Sequence, residues 1–261
     1  MLRLLINLDS SQSRLRKIDA QLRNLSVPYE RVPAINGKNL ANEYKNEIVY
    51  PIDHFKTKVR FTRALSDGEI GCFLSHIKCW EKLINSEEDW ALVMEDDIQI
   101  SSLAGQYLNS DKWLPENIDI CQLSSLNSNS CGRIKAPTLR VDNFLSLVQP
   151  IFPPPLGTQA YFISRAFAKR AIELSHKLPA PVDNFMFSYW FELATEFRIW
   201  RTNPILVIPQ SGTASEIGDR KGKNMKKAPF WIRHGLTRLL LDHKIKKLQK
   251  KGIPFYSEFL P

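Results

Sequence analysis

The chain has 261 residues and a mass of 30.1 kDa, with 43% hydrophobic and 24% charged residues. These values are typical of globular proteins and exclude a disordered, collagen-like or coiled-coil chain. No stretch approaches the ~18 consecutive apolar residues of a membrane-spanning helix. The N-terminal apolar run is too short for a signal peptide and no cleavage site follows it, so we expect a cytoplasmic protein that begins with a β-strand.

The formal net charge of +9 is concentrated near one end of the chain. Residues 220–251 contain 12 Lys and Arg and a single acid, Asp242, whereas the other 24 basic and 26 acidic residues nearly cancel. Apolar residues recur at helical spacing between these bases, as in a basic amphipathic helix. Such a helix can bind an anionic membrane surface or pack on its own domain. Nucleic acid is the least favoured partner, because the rest of the chain is slightly acidic and carries no nucleic-acid-binding motif.

The first half of the chain predicts a strand at residues 2–8 and a helix after it. Residues 27–32 predict a second strand, which closes a β-α-β unit of the nucleotide-binding kind. Residues 36–62 are polar and weakly periodic, so we expect irregular structure there. Ser66 and Glu69 have the spacing of a capping box and predict the start of a helix.

Residues 90–94 form a short, wholly apolar run that is typical of a strand covered on both faces. Later strands are predicted at 118–123, 144–148, 160–164 and 205–208, and helices at 165–177 and 183–196. The pattern predicts one α/β domain over residues 1–219 and a basic amphipathic helical tail over residues 220–261.

Three consecutive acids, Glu95, Asp96 and Asp97, follow the strand at 90–94, at the kind of edge where open α/β sheets bind ligands. Alternation places Glu95 and Asp97 on one side of the strand and Asp96 on the other. Two convergent carboxylates without a neighbouring Lys or Arg repel each other unless a hard divalent cation lies between them. Such a cation can neutralise the charge that develops on a diphosphate leaving group. The simpler alternative is that all three are solvated turn residues.

Four cysteines and the absence of a Cys-x-x-Cys motif fit a reducing compartment and make a zinc ribbon or a thioredoxin motif unlikely. Cys72, His76 and Cys79 have i, i+4, i+7 spacing, which places them on one helix face. A metal site there is conceivable, but no fourth ligand is near in the sequence. Semi-buried packing residues are the preferred interpretation.

Several segments, in their order along the chain, resemble glycosyltransferase family 25, the lipooligosaccharide-type galactosyltransferases. The similarity covers residues 1–210 approximately, and the set of motifs is far more specific than any single one. The matching segments are 5–9 (LINLD) with Arg14, 32–37 (VPAING), 65–76 (LSDGEIGCFLSH) with Trp80, 92–97 (LVMEDD), 157–164 (GTQAYFIS) and 181–183 (PVD).

The resemblance implies a GT-A-like fold with a mixed central sheet and an inverting, metal-dependent transfer of a sugar from a nucleotide diphosphate. UDP-galactose is the commonest donor in the family, and Mn²⁺ or Mg²⁺ is the implied cofactor. The implied acceptor is a lipid-linked saccharide of lipooligosaccharide or lipopolysaccharide. It would be met at the inner face of the inner membrane of a Gram-negative bacterium, where a basic tail would hold the enzyme.

The resemblance also implies roles for individual residues. Asp97 would be the direct metal ligand, Glu95 would contact the metal or the ribose, and Asp96 would hold the turn beside the donor. Gly157 and Thr158 would allow close backbone approach to the donor sugar, although a plain turn would explain them equally well. The uridine would be cradled by Asn7, Leu8, Arg14, Ala34, Ile35 and Asn36.

An inverting transfer needs a carboxylate that deprotonates the acceptor hydroxyl. Asp183, at a predicted helix start, is the leading candidate. The alternative is that it serves as the helix N-cap, a role that Asp at this position would fill equally well. Asp67 is the second candidate, since it begins a helix whose N-terminus can face phosphates. His76 either contacts the diphosphate or is a buried histidine on a helix face.

Two other classes of function stay open: a non-catalytic scaffold that binds sugar nucleotides, and a metal-dependent hydrolase of nucleotide sugars. The intact acids at 95–97 argue against the scaffold. An aromatic cluster over residues 185–191 could stack on a sugar, but helix core is the preferred interpretation.

Overall fold

The computed structural model describes residues 1–49, 64–126, 129–152, 156–189, 191–210, 243, 246–247 and 250–261. The strands are β1 (Leu2–Asn7), β2 (Glu30–Pro33), β3 (Trp90–Glu95), β4 (Ile98–Ile100), β5 (Ile120–Gln122), β6 (Asn129–Arg140), β7 (Ser146–Phe152), β8 (Ala160–Ser164), β9 (Ile199–Asn203), β10 (Val207–Pro209) and β11 (Ile253–Glu258). The helices are α1 (Gln12–Asn24), α2 (Asn42–Ile48), α3 (Asp67–Ile84), α4 (Gly105–Leu108), α5 (Arg165–Leu174), α6 (Val182–Phe187) and α7 (Glu192–Glu196), with a 3-10 turn at Gly37–Asn39.

A nine-stranded mixed sheet organises these elements in the order β11-β6-β7-β9-β5-β8-β3-β1-β2. Strand β1 is parallel to both β2 and β3, whereas β8 is antiparallel to β3 and to β5. Strands β4 and β10 form a separate antiparallel pair. The mixed central sheet expected from the sequence is therefore confirmed.

Both faces of the sheet are covered, which explains why its central strands are apolar without alternation. One face packs against α3, α5, α6 and α7 around Trp80, Tyr161 and Phe167, which are fully buried. The other face packs against α1 and α4 around Leu22 and Phe162. Successive residues of β3 alternate between these two cores, as the strand period requires.

The local sequence signals hold best in the first hundred residues. Strands β1 and β3 and helix α1 form where they are expected, and Ser66 and Glu69 make the reciprocal capping box at the start of α3. The second strand begins three residues later than predicted, at Glu30. Helix α2 lies within the stretch expected to be irregular, of which residues 50–63 lie outside the described part of the chain.

The predicted helix over residues 183–196 is wrong in extent. Two short helices, α6 and α7, replace it, and Ser188 between them is extended. Four of the six residues of α6, Val182, Phe185, Met186 and Phe187, are buried, which is more than one face of a long surface helix would bury. Phe185, Phe187 and Phe191 therefore belong to the core, as the preferred interpretation of the aromatic cluster holds.

The predicted boundary of the C-terminal tail also needs correction. Strand β11 lies inside the span assigned to the tail, yet it pairs antiparallel with β6 at the edge of the main sheet. The backbone of Ile205 also donates to the carbonyl of Glu258 at 2.9 Å. Residues 253–258 are therefore part of the α/β domain, because their backbone groups complete its sheet. Most of the basic residues of the tail lie outside the described residues. Across the described part of the chain, no helix has the length and apolar character needed to cross a bilayer.

Two glycines allow α3 to approach the turn after β2 at backbone distance. A Cβ atom on Gly71 would lie 2.3 Å from the carbonyl oxygen of Ile35, and one on Gly37 would lie 1.8 Å from that of Asp67. Ser75, one turn further along α3, accepts from the backbone N–H of Ile35 at 2.8 Å. The turn after β2 is thus fixed to the first three turns of α3.

We predict that Gly71→Ala destabilises the protein by about 2 kcal/mol, since the clash with Ile35 outweighs the gain in helix propensity. Gly105→Ala is the control, because its Cβ would meet no atom closer than 3.3 Å. Urea unfolding of both variants measures the difference. Equal stability of the two variants would contradict the close approach.

Candidate functional site

A cleft opens at the carboxyl ends of β1, β2 and β3, where parallel strands bring their following residues together. It is bounded by the turn after β2, by the adjoining part of α3 and by Arg14 of α1. The cleft is lined by Ile6, Asn7, Leu8, Arg14, Ala34, Ile35, Asn36, Gly37, Gly68, Cys72, Ser75, His76, Glu95, Asp96 and Asp97. Every residue expected to cradle a uridine or bind a metal is therefore in this one cleft.

The three acids occupy different environments. Asp96 is buried and accepts from the side-chain amide of Asn7 at 2.6 Å. Arg14 reaches Asp96 at 3.4 Å and Asp97 at 3.8 Å. The sequence-based view of carboxylates with no neighbouring cation is thus wrong, because α1 brings Arg14 to them from 82 residues away. One guanidinium between Asp96 and Asp97 still leaves the cleft acidic.

Glu95 is held on the opposite side of the cleft by α3 and the residues before β8. Its Oε1 accepts from Thr158 Oγ1 at 2.6 Å and lies 3.3 Å from His76 Nε2. Burial alone would raise the pKa of Glu95. The hydrogen bonds from His76 and Thr158 outweigh burial and hold this pKa below its usual value. Glu95 is therefore a fixed negative charge in the cleft.

Asp97 has the opposite character. Burial and the negative charge of Glu95 raise its pKa to about 7, and Arg14 compensates only in part. Strand β3 ends at Glu95, all three acids line the cleft, and Arg14 reaches both Asp96 and Asp97, so the predicted separation of Asp96 from the other two acids is not observed. The mutual repulsion of Glu95 and Asp97 fits a hard divalent cation, which would relieve it.

The side chain of Asn7 is buried and hydrogen-bonded to protein groups, so it is not exposed for a ligand. Besides Asp96, its side chain donates to the carbonyl of Ser11 at 3.2 Å and accepts from Arg31 Nε at 2.9 Å. Arg31 also binds the carboxylate of Asp9. Asn7 therefore ties β1, β2 and the acidic turn together, and only part of it lines the cleft.

The turn after β2 presents backbone groups and short side chains to the cleft. Ala34 donates to the carbonyl of Asn7 at 3.0 Å, and Asn36 accepts from the backbone of Lys38 at 3.1 Å. Together with Leu8 and Ile35, these residues form a wall without a charged side chain. Such a wall suits a flat, neutral ring more than a phosphate.

Gly157 and Thr158, just before β8, make hydrogen bonds that hold the residues around the site. Gly157 has a φ of 102°, a conformation that favours glycine, and its carbonyl accepts from Gln122 Nε2 at 2.6 Å. Thr158 is buried and its hydroxyl is directed at Glu95. The side chain of Thr158 therefore positions Glu95.

The two candidate bases differ in position. Neither Asp67 nor Asp183 is among the residues that line the cleft, and Asp67 is paired with Lys45 at 2.8 Å. Asp183 lies in the first turn of α6 and accepts from the backbone of Asn184 at 2.7 Å, while Pro181 holds the N-cap position. Burial, followed by the charges of Glu95, Asp183 and Asp97, raises the pKa of Cys72. Asp183 therefore acts electrostatically on the same cleft as the acids after β3.

Sequence reasoning missed the layer behind the cleft. His76 is fully buried, and its Nδ1 lies 2.8 Å from the hydroxyl of Tyr161, which also accepts from Trp80 Nε1 at 3.0 Å. His76 is thus both a buried helix-face histidine and a contact of Glu95. The i, i+4 spacing of His76 and Trp80 was the one sequence signal for this layer. Nothing near Arg31 or Gln122 in the sequence indicates that they contact Asn7 and Gly157.

A β-α-β unit whose acidic strand end faces a neutral turn is an arrangement typical of nucleotide-binding α/β proteins. The particular family follows from a family model, "Glycosyltransferase family 25 (LPS biosynthesis protein)", which matches residues 1–186. The chain belongs to glycosyltransferase family 25 and is a glycosyltransferase. The family resemblance of the sequence motifs is confirmed.

Similar proteins come from bacteria and animals. The lipooligosaccharide biosynthesis protein lex-1 of Haemophilus influenzae is 25% identical over 72% of this chain and 70% of its own length. The lacto-N-neotetraose biosynthesis glycosyltransferase LgtE of Neisseria meningitidis is 26% identical over 77% of this chain and 71% of its own. Human procollagen galactosyltransferase 2 is 25% identical over 78% of this chain but 34% of its own.

The raised pKa of Asp97 predicts a pH-dependent stability of the metal-free protein. The folded carboxyl keeps its proton up to a pH of about 7, whereas the unfolded one loses it at a pH of about 4. Stability is therefore lost as pH rises through this window. We expect Asp97→Asn to be more stable than the parent protein at pH 8, with no such gain at pH 4.

Urea unfolding in the presence of EDTA at both pH values measures this effect. Asp111→Asn, away from the cleft, serves as the control and should follow the parent protein. A gain for Asp97→Asn that is equal at pH 4 and pH 8 would contradict the assignment.

Proposed function

We propose that this glycosyltransferase is an inverting, metal-dependent galactosyltransferase of the GT-A type, which forms a β-linkage on a lipooligosaccharide or lipopolysaccharide acceptor. The observation that carries the proposal is the convergence of the acids after β3 with the neutral turn after β2 in one cleft. The names of lex-1, LgtE and procollagen galactosyltransferase 2 support the sugar and the acceptor class.

The donor in this proposal is UDP-galactose. The uracil would lie against the wall formed by Leu8 and residues 34–36, where backbone groups can read its edge. Arg14 lines the same cleft, beside Asp96 and Asp97. Its guanidinium would counter the negative charge of the nucleotide.

Asp97 and Glu95 would hold the divalent cation, Mn²⁺ or Mg²⁺. When bound, the cation supplies a positive charge that neutralises the departing diphosphate. The protein's own contribution is positional: Thr158 and His76 fix Glu95, and Asn7 fixes the turn that carries Asp97. The preset geometry means that little reorganisation is needed when the donor binds.

Asp183 is the proposed general base. In an inverting transfer the base removes the proton of the acceptor hydroxyl as its oxygen attacks the anomeric carbon, opposite the leaving diphosphate. Neither carboxylate is among the residues that line the cleft. Asp183 is favoured over Asp67 because Asp67 is engaged by Lys45, whereas the charge of Asp183 reaches Cys72 in the cleft.

We predict that Asp183→Asn lowers turnover at least ~100-fold while leaving UDP affinity within about twofold, because general-base catalysis contributes 10²–10⁴-fold and the donor does not need the base. The measurement is release of UDP from UDP-galactose with Mn²⁺ and a terminal-saccharide acceptor panel, with UDP affinity by calorimetry. Asp67→Asn is the matched control and should retain turnover. Loss of turnover in Asp67→Asn alone would reverse the assignment.

The same assay separates the alternative functions. A hydrolase would release UDP at the same rate with and without acceptor, and a scaffold would bind UDP without turnover under any acceptor. Acceptor-dependent release that EDTA abolishes is the result expected of the transferase.

A second proposal concerns the location of the enzyme at an anionic membrane surface, on the cytoplasmic side of the inner membrane. The residues that the structure describes between positions 243 and 251 are helical and exposed, and all carry basic or imidazole side chains. Their i, i+3, i+4, i+7, i+8 spacing places them on one helix face: His243, Lys246, Lys247, Lys250 and Lys251. Ile253 and Tyr256 of β11, 49% and 56% exposed, lie next along the chain. Charge and apolar exposure together suit a surface of anionic lipid.

We predict that replacing Lys246, Lys247 and Lys250 by Glu weakens binding to phosphatidylglycerol vesicles on the order of 100-fold, at about 1 kcal/mol per lysine. The control replaces Lys17, Lys112 and Lys169, which are also exposed, by Glu and so changes the net charge equally. Vesicle co-sedimentation compares the two. Deletion of the tail would be a poorer test, because it removes β11 from the sheet. Equal loss in both triple variants would contradict a specific docking face.

A further inference from the structure

One group of ligand atoms in the cleft overlaps the proposed donor site at Glu95 and at His76, which positions Glu95. Cys72, His76 and Glu95 each offer one ligand atom, and these atoms all lie within 4.8 Å of one another. Cys72 and His76 are one turn apart on α3, and Glu95 ends β3 across from them. We propose that these three side chains form a binding site for Zn²⁺.

The ligand chemistry favours zinc over the hard cations. A thiolate, an imidazole and a carboxylate are the donors of zinc sites, and three protein ligands leave a fourth position open to water. Zinc bond lengths of roughly 2.0–2.3 Å place ligand atoms about 3–4 Å apart. His76 Nε2 and Glu95 Oε1 are already 3.3 Å apart, and Cys72 Sγ lies within 4.8 Å of both, so a small adjustment brings the three atoms to zinc-binding distances. Binding requires that the Cys72 thiol release its proton to solvent.

The surroundings of His76 suit a metal-binding imidazole. A ligating histidine commonly donates its second ring N–H to an oxygen, which fixes the ring. The hydroxyl of Tyr161 lies 2.8 Å from Nδ1 and is itself fixed by the indole N–H of Trp80. This arrangement aims Nε2 at Glu95 and the cleft. Cys79, two turns along α3 from Cys72, is fully buried and lies outside the set.

Occupancy by zinc has a consequence that rests on the proposed function. Glu95 would be withdrawn from the donor cation, and Cys72 and His76 line the same cleft. Zinc and the complex of UDP with Mg²⁺ would therefore exclude each other. The enzyme would be inhibited by zinc in competition with its donor.

Cobalt(II) is the probe for the site, because a thiolate ligand gives it a near-ultraviolet charge-transfer band. Titration of the full chain with Co²⁺, in the absence of nucleotide, should produce this band with one ion per chain, and added Zn²⁺ should abolish it. Cys72→Ser and His76→Gln should each lose the band, whereas Cys79→Ser should keep it. Tyr161→Phe should keep the band but weaken Co²⁺ affinity ~10-fold or more.

The outcomes separate this site from the transferase. A Co²⁺ complex without the thiolate band, or a band that survives in Cys72→Ser, overturns the zinc site whatever the activity of the enzyme. With the band established, UDP and Mg²⁺ are added. A fall in Co²⁺ affinity supports the exclusion, and an unchanged Co²⁺ affinity overturns it. Circular dichroism confirms the fold of every variant.

Discussion

The parallel register of β1 with its two neighbours is the constraint on which the site depends. Ile6 lies level with Val32 on β2 and with Glu95 on β3. Because all three strands run the same way, the residues that follow them emerge at one edge. Asn7, the turn after Pro33 and the acids at 95–97 meet there without any long excursion of the chain. A slip of one residue in β3 would send Glu95 to the other core.

Two networks then divide the acids between different tasks. The first network joins Asp96 to Asn7 and Arg14, and so fixes the turn after β3. The second network joins Glu95 to Thr158 and His76, and through His76 to the buried pair Tyr161 and Trp80. Asp97 lies between these networks and is the acid least satisfied by the protein alone. A structure that satisfies two carboxylates and leaves a third at elevated pKa is poised for a positively charged ligand.

The elements around the cleft were predictable because their signals are local: the apolar run of β3, the capping box of α3 and the periodicity of α1. The contacts that give the acids their character are not local. Arg14 and Asp96 are 82 residues apart, and His76 and Tyr161 are 85 residues apart. Strands β6 and β9 escaped prediction since β6 contains Gly132 and Pro137, and β9 buries Arg201 in the sheet. Strand β11 was assigned to the tail because the many basic residues at 220–251, which precede it, dominated the composition of this part of the chain.

Because β11 lies at one edge of the sheet, its distance from the cleft can be counted in strands. Six strand intervals separate β11 from β3, which at the usual spacing is roughly 30 Å. If the proposed lipid surface lies beside β11, the sheet sets that surface apart from the cleft at the end of β3. A saccharide rooted in such a surface would meet the cleft only when it is long enough to cross this distance. The distance between β11 and the cleft would then select acceptors by their length.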